Sequence, residues 1–191
     1  MGGRVRDVRV AVGAGTPRGG AGGATVEAGV SDLAVQPRLF GVEQEALTSD
    51  DYYTPAWVFE RMGLDFDLDV CAPPGGIPWI PARGFFTMTD DGLSQPWEGR
   101  VWMNPPYSNT TPWAARFIDH CDGIALVPCS RANWWGALWD SAHGIADAGM
   151  FRFIRASDGK LEHVFMPVVF AAFGDECVEA ISRLGTVRVR R

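Results

Sequence analysis

The stretch "VWMNPPYSNTTPWAARFIDHCDGIALVPC", Val101 to Cys129, decides the reading of the fold. It opens on a short apolar run that halts at two prolines. Proline donates no backbone hydrogen bond and fixes φ, so it is a poor continuation of a central strand. The first segment therefore reads as a strand stopping in a rigid loop. "TPWAARFIDHC" then follows with helical amphipathic spacing, and Thr111–Pro112 reads as its cap. "GIALVPC" closes the stretch as a continuous apolar strand of the kind buried on both faces. Strand, loop, helix, strand is the unit from which α/β sheets are built.

Working outward, the same alternation continues. "FDLDV" (Phe66 to Val70) is a short strand, and "PPGGIPWIPARG" reads as loop throughout. "SRANWWGALWDSAH" reads as a helix with Ser130 as candidate cap, and "MFRFIR" and "PVVFAAF" as strands. "DECVEAISRL" is a helix and "TVRVR" a last strand. Thr54–Pro55 marks a helix start, after which Trp57, Val58 and Met62 face a core. The late strands lie close enough for a hairpin. The expected class is α/β, with a mixed, mostly parallel sheet flanked by helices. Ligands of such sheets sit beyond the C-terminal ends of the strands. "DVCAPPG" and "NPPYS" both fall there.

Composition sets bounds. The chain has 191 residues, which by length is one domain with room for a tail. An apolar fraction of 47% supports a sizeable core. Residues 1–41, rich in Gly, Ala, Val and Arg, carry no sustained period and read as a flexible arm. Residues 42–191 read as the folded domain. No apolar run is long enough for a membrane span, and the N-terminus lacks the apolar centre of a signal peptide, so a cytoplasmic protein is expected. Cys71, Cys121, Cys129 and Cys177 are widely spaced, which favours buried free thiols over disulfides or a metal site.

The net charge of −6 argues against a broad electrostatic grip on nucleic acid, though not against a local one. Lys160 is the only lysine among 17 basic residues. The terminal "TVRVRR" is a basic strip that a phosphate backbone could use, or simply a solvated strand.

The chemistry concentrates in "NPPY". An asparagine oxygen and a proline carbonyl held rigidly side by side are two acceptors for the hydrogens of a flat amine. A tyrosine just beyond offers a face on which a ring can stack. A proline-stiffened turn with no such role is the competing reading of "NPP" alone.

With those residues in view, the chain resembles the S-adenosylmethionine-dependent amino-methyltransferases, and among them the phage-type DNA N6-adenine methyltransferases. The resemblance covers roughly residues 49–173. It rests on "DYYTPAWVF", "FDLDVCAPPG", "TDDGLSQPWEGRVWMNPPYS" and "VPCSRANWW", in that order. It implies a Rossmann-like methyltransferase fold, S-adenosylmethionine as cofactor, and double-stranded DNA as partner in a bacterial host cell. Carried over, it implies that Asn104 and the carbonyl of Pro105 orient the adenine N6, that Pro106 stiffens the turn, and that Tyr107 stacks on the base. Asp69 and the backbone of Val70, Cys71 and Ala72 would line the cofactor. Asp91 would accept from the cofactor's adenine amine and Leu93 pack on that ring, with Tyr53 and Thr54 over the methionine end. Arg131, Asn133 and Trp134 would grip the DNA, with Arg152 and Arg155 as additions. Core packing competes for Trp134 and Trp135, and a strand-end or turn role for each aspartate. No metal is implied.

Two departures stand out. "CAPPGG" replaces the usual glycine-rich cofactor loop, and no carboxylate lies between Asp69 and Asp90. The 84 residues after Tyr107 leave little room for a separate target-recognition domain. Two alternatives remain open at this level. One is a methyltransferase acting on RNA adenine or a protein glutamine amide. The other is a silent DNA-binding accessory protein that kept the fold.

Overall fold

A computed structural model describes residues 50–149, 152–164 and 166–190. The arm expected over residues 1–41 lies outside the described residues.

The centre is a seven-stranded sheet in the order β10 (Val187–Val189), β6 (Gly144–Gly149), β9 (Val168–Phe173), β5 (Gly123–Pro128), β4 (Val101–Met103), β2 (Phe66–Asp69), β3 (Ala82–Phe85). Ladders β3–β2, β2–β4 and β4–β5 are parallel. Ladders β5–β9, β9–β6 and β6–β10 are antiparallel. The sheet is therefore mixed, parallel only from β5 through β4 and β2 to β3, rather than mostly parallel. A second sheet of three antiparallel strands joins β1 (Tyr52–Tyr53), β7 (Arg152–Arg155) and β8 (Leu161–His163).

Alternation along the strands sorts the two faces. Trp102, Ile124, Leu126, Phe170 and Ala172 point to one side. There they meet Val58, Phe59 and Met62 of α1 (Ala56–Met62) and Cys177, Ala180 and Ile181 of α4 (Asp175–Ser182). Val101, Met103, Ala125, Val127, Val169 and Phe173 point to the other. They meet Phe117 of α2 (Thr110–His120) and Leu138 of α3 (Asn133–Ser141). Period-two strands that are apolar on both faces require such a cover on each side.

Chain order along the sheet creates a crevice. From β2 the chain runs to β3 on one flank, then returns to β4 on the other. The loops after β2 and β4 thus part company at the C-terminal ends of neighbouring strands, the place where open α/β sheets hold ligands.

Several local expectations are corrected. Pro55, not Thr54, caps α1, and Thr54 makes no capping bond. Asn109 precedes α2, so Thr111 and Pro112 lie inside its first turn, where proline's missing N–H costs nothing. Ser130 does not cap α3; its hydroxyl accepts from the Ala132 N–H at 3.0 Å, ahead of the helix. Trp57 is 43% exposed, and Phe59 takes the core place expected for it. The end of "PPGGIPWIPARG" is not loop, since Ala82 starts β3. β6, spelled "GIADAG", shows no strand signal because Ile145 is its one large apolar residue; pairing with β9 and β10 makes it a strand. The late hairpin joins β7 to β8, which the sequence did not signal, and not "MFRFIR" to "PVVFAAF", whose strand β9 lies in the seven-stranded sheet. All four cysteines are free, but only Cys177 is buried; Cys121 and Cys129 are exposed and Cys71 is half-buried.

Candidate active site

The β4 strand delivers its last residues to the crevice. Asp69 pairs with Trp102 across the β2–β4 ladder, so the residues after each strand emerge side by side. Beyond Met103 the two prolines prevent further pairing, and the chain turns through a 3-10 segment, Tyr107–Asn109, into α2. A cavity of about 450 Å³ opens at this point, within the range of small-molecule sites. Its floor is Asp69, Cys71, Ala72, Trp102 and Asn104 to Tyr107. The small sheet supplies one wall through Tyr52, Tyr53 and Phe153, with Val164 just after β8, and Trp113 of α2 contributes another. Gly92 completes the rim, and a Cβ there would lie 2.2 Å from the Val70 carbonyl oxygen, so only glycine fits.

Electrostatically the cavity is one-sided. Asp50, Asp51, Asp69 and Asp91 line it, with no lysine or arginine among the described lining residues. Asp69 is 4% exposed, and burial pushes its carboxyl up to about 7. The Cys71 N–H, 3.2 Å from its Oδ1, offsets that only in part. A buried carboxylate with so little support is set to receive a cation. Burial first, then the neighbouring Asp69, raises the Cys71 thiol, so the thiolate is not available as a nucleophile. Burial likewise raises the Tyr107 hydroxyl.

Three buried polar atoms on the cavity's residues lack a hydrogen-bond partner: Asn104 Oδ1, Thr54 Oγ1 and Tyr107 OH. A buried polar group left unpaired costs about 1–3 kcal/mol. Three around one cavity are what a site for a polar ligand leaves open.

Of the residues singled out in the sequence, Tyr53, Thr54, Asp69, Cys71, Ala72, Asp91, Asn104, Pro105, Pro106 and Tyr107 all line this cavity. Others do not. Val70 is fully buried in the core on the far face of the sheet. The backbone N–H groups expected to face a cofactor are already used: Val70 donates to Trp102, Ala72 to Phe86, and Cys71 to Asp69. Leu93 is half-buried outside the lining. Asp91 takes a left-handed φ of 52°, and its carboxylate accepts from the Ser94 hydroxyl. Tyr107 is half-buried and packs on the core.

Arg131, Asn133 and Trp134 lie outside the cavity, at the loop and helix that follow β5. Arg131 and Asn133 are exposed, whereas Trp134 packs edge-on to Trp135 at 5.9 Å beside the core. Arg155 is committed to Asp158 and Glu162. Sequence reasoning missed Trp102, Trp113, Phe153 and Val164. Trp102 was legible, being the alternate residue of the strand that ends in "NPPY". Phe153 and Val164 reach the cavity only through the pairing of β7 with β1, which no local spacing encodes.

A family model described as DNA N-6-adenine-methyltransferase (Dam) matches residues 42–166. A protein of Haemophilus phage HP1 (strain HP1c1), named DNA N-6-adenine-methyltransferase, is 39% identical over 75 residues. That alignment covers 37% of this chain and 42% of the phage protein, so the chain spans less than half the length of that relative. No solved structure matches. Among the described residues no helix is long and apolar enough to cross a membrane, and no His, Cys, Asp and Glu cluster could hold a metal.

Proposed function

The chain belongs to the DNA N-6-adenine-methyltransferase family, and on that premise we propose that it transfers a methyl group from S-adenosylmethionine to the N6 amine of adenine in double-stranded DNA. The observation that carries this reading is Asn104 Oδ1, a buried acceptor without a partner at the mouth of a proline-stiffened turn.

The cofactor supplies an electrophilic methyl group on a cationic sulfur. The chain's own residues would do the rest. Asp69 and Asp91 would hold its positive and amine-bearing parts, Thr54 Oγ1 would satisfy a polar atom of it, and Tyr53, Cys71 and Ala72 would pack around it. A cavity that holds Asp69 and Asp91, with no lysine or arginine among its described lining residues, suits a cation. Asn104 Oδ1 and the Pro105 carbonyl would accept the two amine hydrogens. That tilts the nitrogen lone pair toward the methyl group, and Pro106 keeps the pair in place at little entropic cost. After transfer the nitrogen sheds its extra proton to solvent, so no general base is needed beforehand. The order of β2, β3 and β4 supports a Rossmann-like methyltransferase fold for residues 42–191.

An acidic cavity also means that phosphates must be gripped outside it. Extruding a base costs a few kcal/mol of unstacking, and Arg131, exposed after β5, is the charged residue we assign to that grip, with Asn133 beside it and Trp134 as support. This work belongs inside a bacterial host cell.

The test is methyl transfer from labelled S-adenosylmethionine by the purified full chain, offered duplex DNA, RNA and protein in parallel. Label appearing as N6-methyladenine in DNA is the expected result. Label confined to RNA or protein, or none, overturns the assignment.

Asp69 adds a pH signature. Its folded carboxyl titrates at about 7 against the ordinary 3.8. The stability that its protonated form lends the unliganded protein is therefore complete below about pH 4 and gone once pH passes about 7, a loss of roughly 4 kcal/mol. S-adenosylmethionine affinity runs the opposite way, rising toward pH 7 as the carboxylate ionises and levelling above it. Asp69→Asn should flatten both profiles. Calorimetry that finds the wild-type affinity flat between pH 5.5 and 8 would remove Asp69 from the site.

A further inference from the structure

The segment "NPPYSN" has no cap of its own. Neither Pro106, ahead of the 3-10 turn, nor Asn109, ahead of α2, makes a side-chain capping bond. The first N–H groups of such an element need an acceptor from somewhere. Asp50 supplies it from 58 residues earlier. One carboxylate oxygen accepts from the Ser108 N–H at 3.1 Å, and the other accepts from the Ser108 hydroxyl at 2.5 Å. Bonds to an ionised carboxylate are about twice as strong as neutral ones, and a two-point contact fixes direction as well as distance.

Asp50 is itself anchored. Directly after it, Asp51 accepts from the Ala156 N–H at 2.8 Å through its carbonyl, and Tyr52 and Tyr53 form β1 against β7. The Tyr52 hydroxyl donates to Glu162 at 3.0 Å on β8. The segment leading into the small sheet thus reaches the "NPPY" turn through the Asp50 side chain. Ser108 is one residue from Tyr107 and four from Asn104, so a shift at Ser108 moves both.

We propose that Asp50 is a positioning residue for the methyl-transfer step, holding the "NPPY" turn in register by capping the 3-10 turn beside the cavity. The proposal rests on the methyltransferase reading. Misplacing a reacting group by about 1 Å costs up to 100-fold in rate, and loss of this cap should cost at least tenfold.

The experiment uses the full chain with Asp50→Ala, Asp50→Asn, Ser108→Ala and the Asp50→Ala/Ser108→Ala double variant. Asp50→Ala should lower turnover at least tenfold, with S-adenosylmethionine affinity within about threefold. Asp50→Asn, whose amide can still accept from one group and donate to the other, should recover most of the rate. The double variant should be no slower than Asp50→Ala alone, because its two changes remove one contact. Amide hydrogen exchange at Ser108 provides a readout independent of catalysis: protection should fall in Asp50→Ala and persist in Asp50→Asn. Wild-type turnover in Asp50→Ala overturns the proposal, as do multiplicative losses in the double variant. If Asp50→Asn is as slow as Asp50→Ala while Ser108→Ala is normal, Asp50 acts by charge in the cavity and the proposal fails. A wild-type chain inert on DNA defeats the functional reading instead. In that case unchanged Ser108 protection in Asp50→Ala still defeats the cap.

Discussion

Asn104→Ala lowers the rate of DNA methylation by 100-fold or more and leaves the protein folded. The first half follows from timing. An amine losing planarity as it attacks gains most from an acceptor in the transition state, so the interaction adds to turnover rather than to binding. A loss of 100-fold corresponds to about 2.7 kcal/mol. The second half follows from the unpartnered state of Oδ1 in the folded chain. Removing a buried acceptor that bonds to nothing takes away a cost, so stability should hold within about 1 kcal/mol or rise. S-adenosylmethionine affinity should stay within a few fold. A turn that served only to connect β4 to α2 would give the opposite pattern, with normal methyl transfer in every molecule that folds. Single-turnover kinetics beside a denaturant titration separates the two, and wild-type turnover by folded Asn104→Ala ends the assignment.

Gly123→Ala has the largest expected effect on stability. Gly123 opens β5 with φ at 135°, which side chains rarely adopt. A Cβ there would lie 2.2 Å from the Val101 carbonyl oxygen, and 2.8 and 2.9 Å from that residue's N and C. All three are backbone atoms of a paired strand and cannot step aside. Backbone strain and overpacking together should cost roughly 3–5 kcal/mol, a large share of a typical domain's 5–15 kcal/mol. Val101 is the register partner of Gly123 and lies three residues before Asn104. Molecules that still fold should therefore methylate slowly as well. Gly136→Ala is the control. Gly136 lies in α3 with nothing within 4 Å of an added Cβ, and alanine there should stabilise by up to about 1 kcal/mol. Urea midpoints of the two variants should move in opposite directions, and an unchanged midpoint for Gly123→Ala would mean that β4 and β5 can part without cost.

The parts of the fold legible in the sequence are those whose physics is local. β4 and β5 are apolar runs ended by a proline pair and a cysteine, and β2 alternates apolar residues with aspartates. α2 and α4 carry apolar residues at helical spacing, and the two loops beyond β2 and β4 fell together because parallel strands place successive C-termini on one edge. Legibility failed where the answer depends on a distant partner. β6 has one isoleucine among glycines, alanines and an aspartate, and is held by its neighbours. β3 emerges from a proline-rich run only because β2 offers it an open edge. The expected caps failed for a related reason: threonine before proline, or a serine ahead of a helical run, marks a start, but the acceptor for the turn before α2 comes from Asp50. The cavity residues were legible on its floor, through "DVCA" and "NPPY", and illegible on its wall, where Phe153 and Val164 arrive through the second sheet.

That wall has a consequence for how the protein is made. The cavity's floor and its first rim residues lie between Asp50 and Trp113, whereas Phe153, Ala156 and Val164 come some forty or more residues later. The strand that joins them to the cavity, β7, pairs with β1 about 100 residues upstream. Contacts at such separation close late, because the loop entropy must be met before they form. During synthesis, at about 5–20 residues per second, β2, β4 and the "NPPY" turn emerge seconds ahead of the strands that enclose them. For that interval the nascent chain carries the chemical groups of the site without the enclosure, and a ribosome paused before residue 164 would hold a chain with a floor and no cavity.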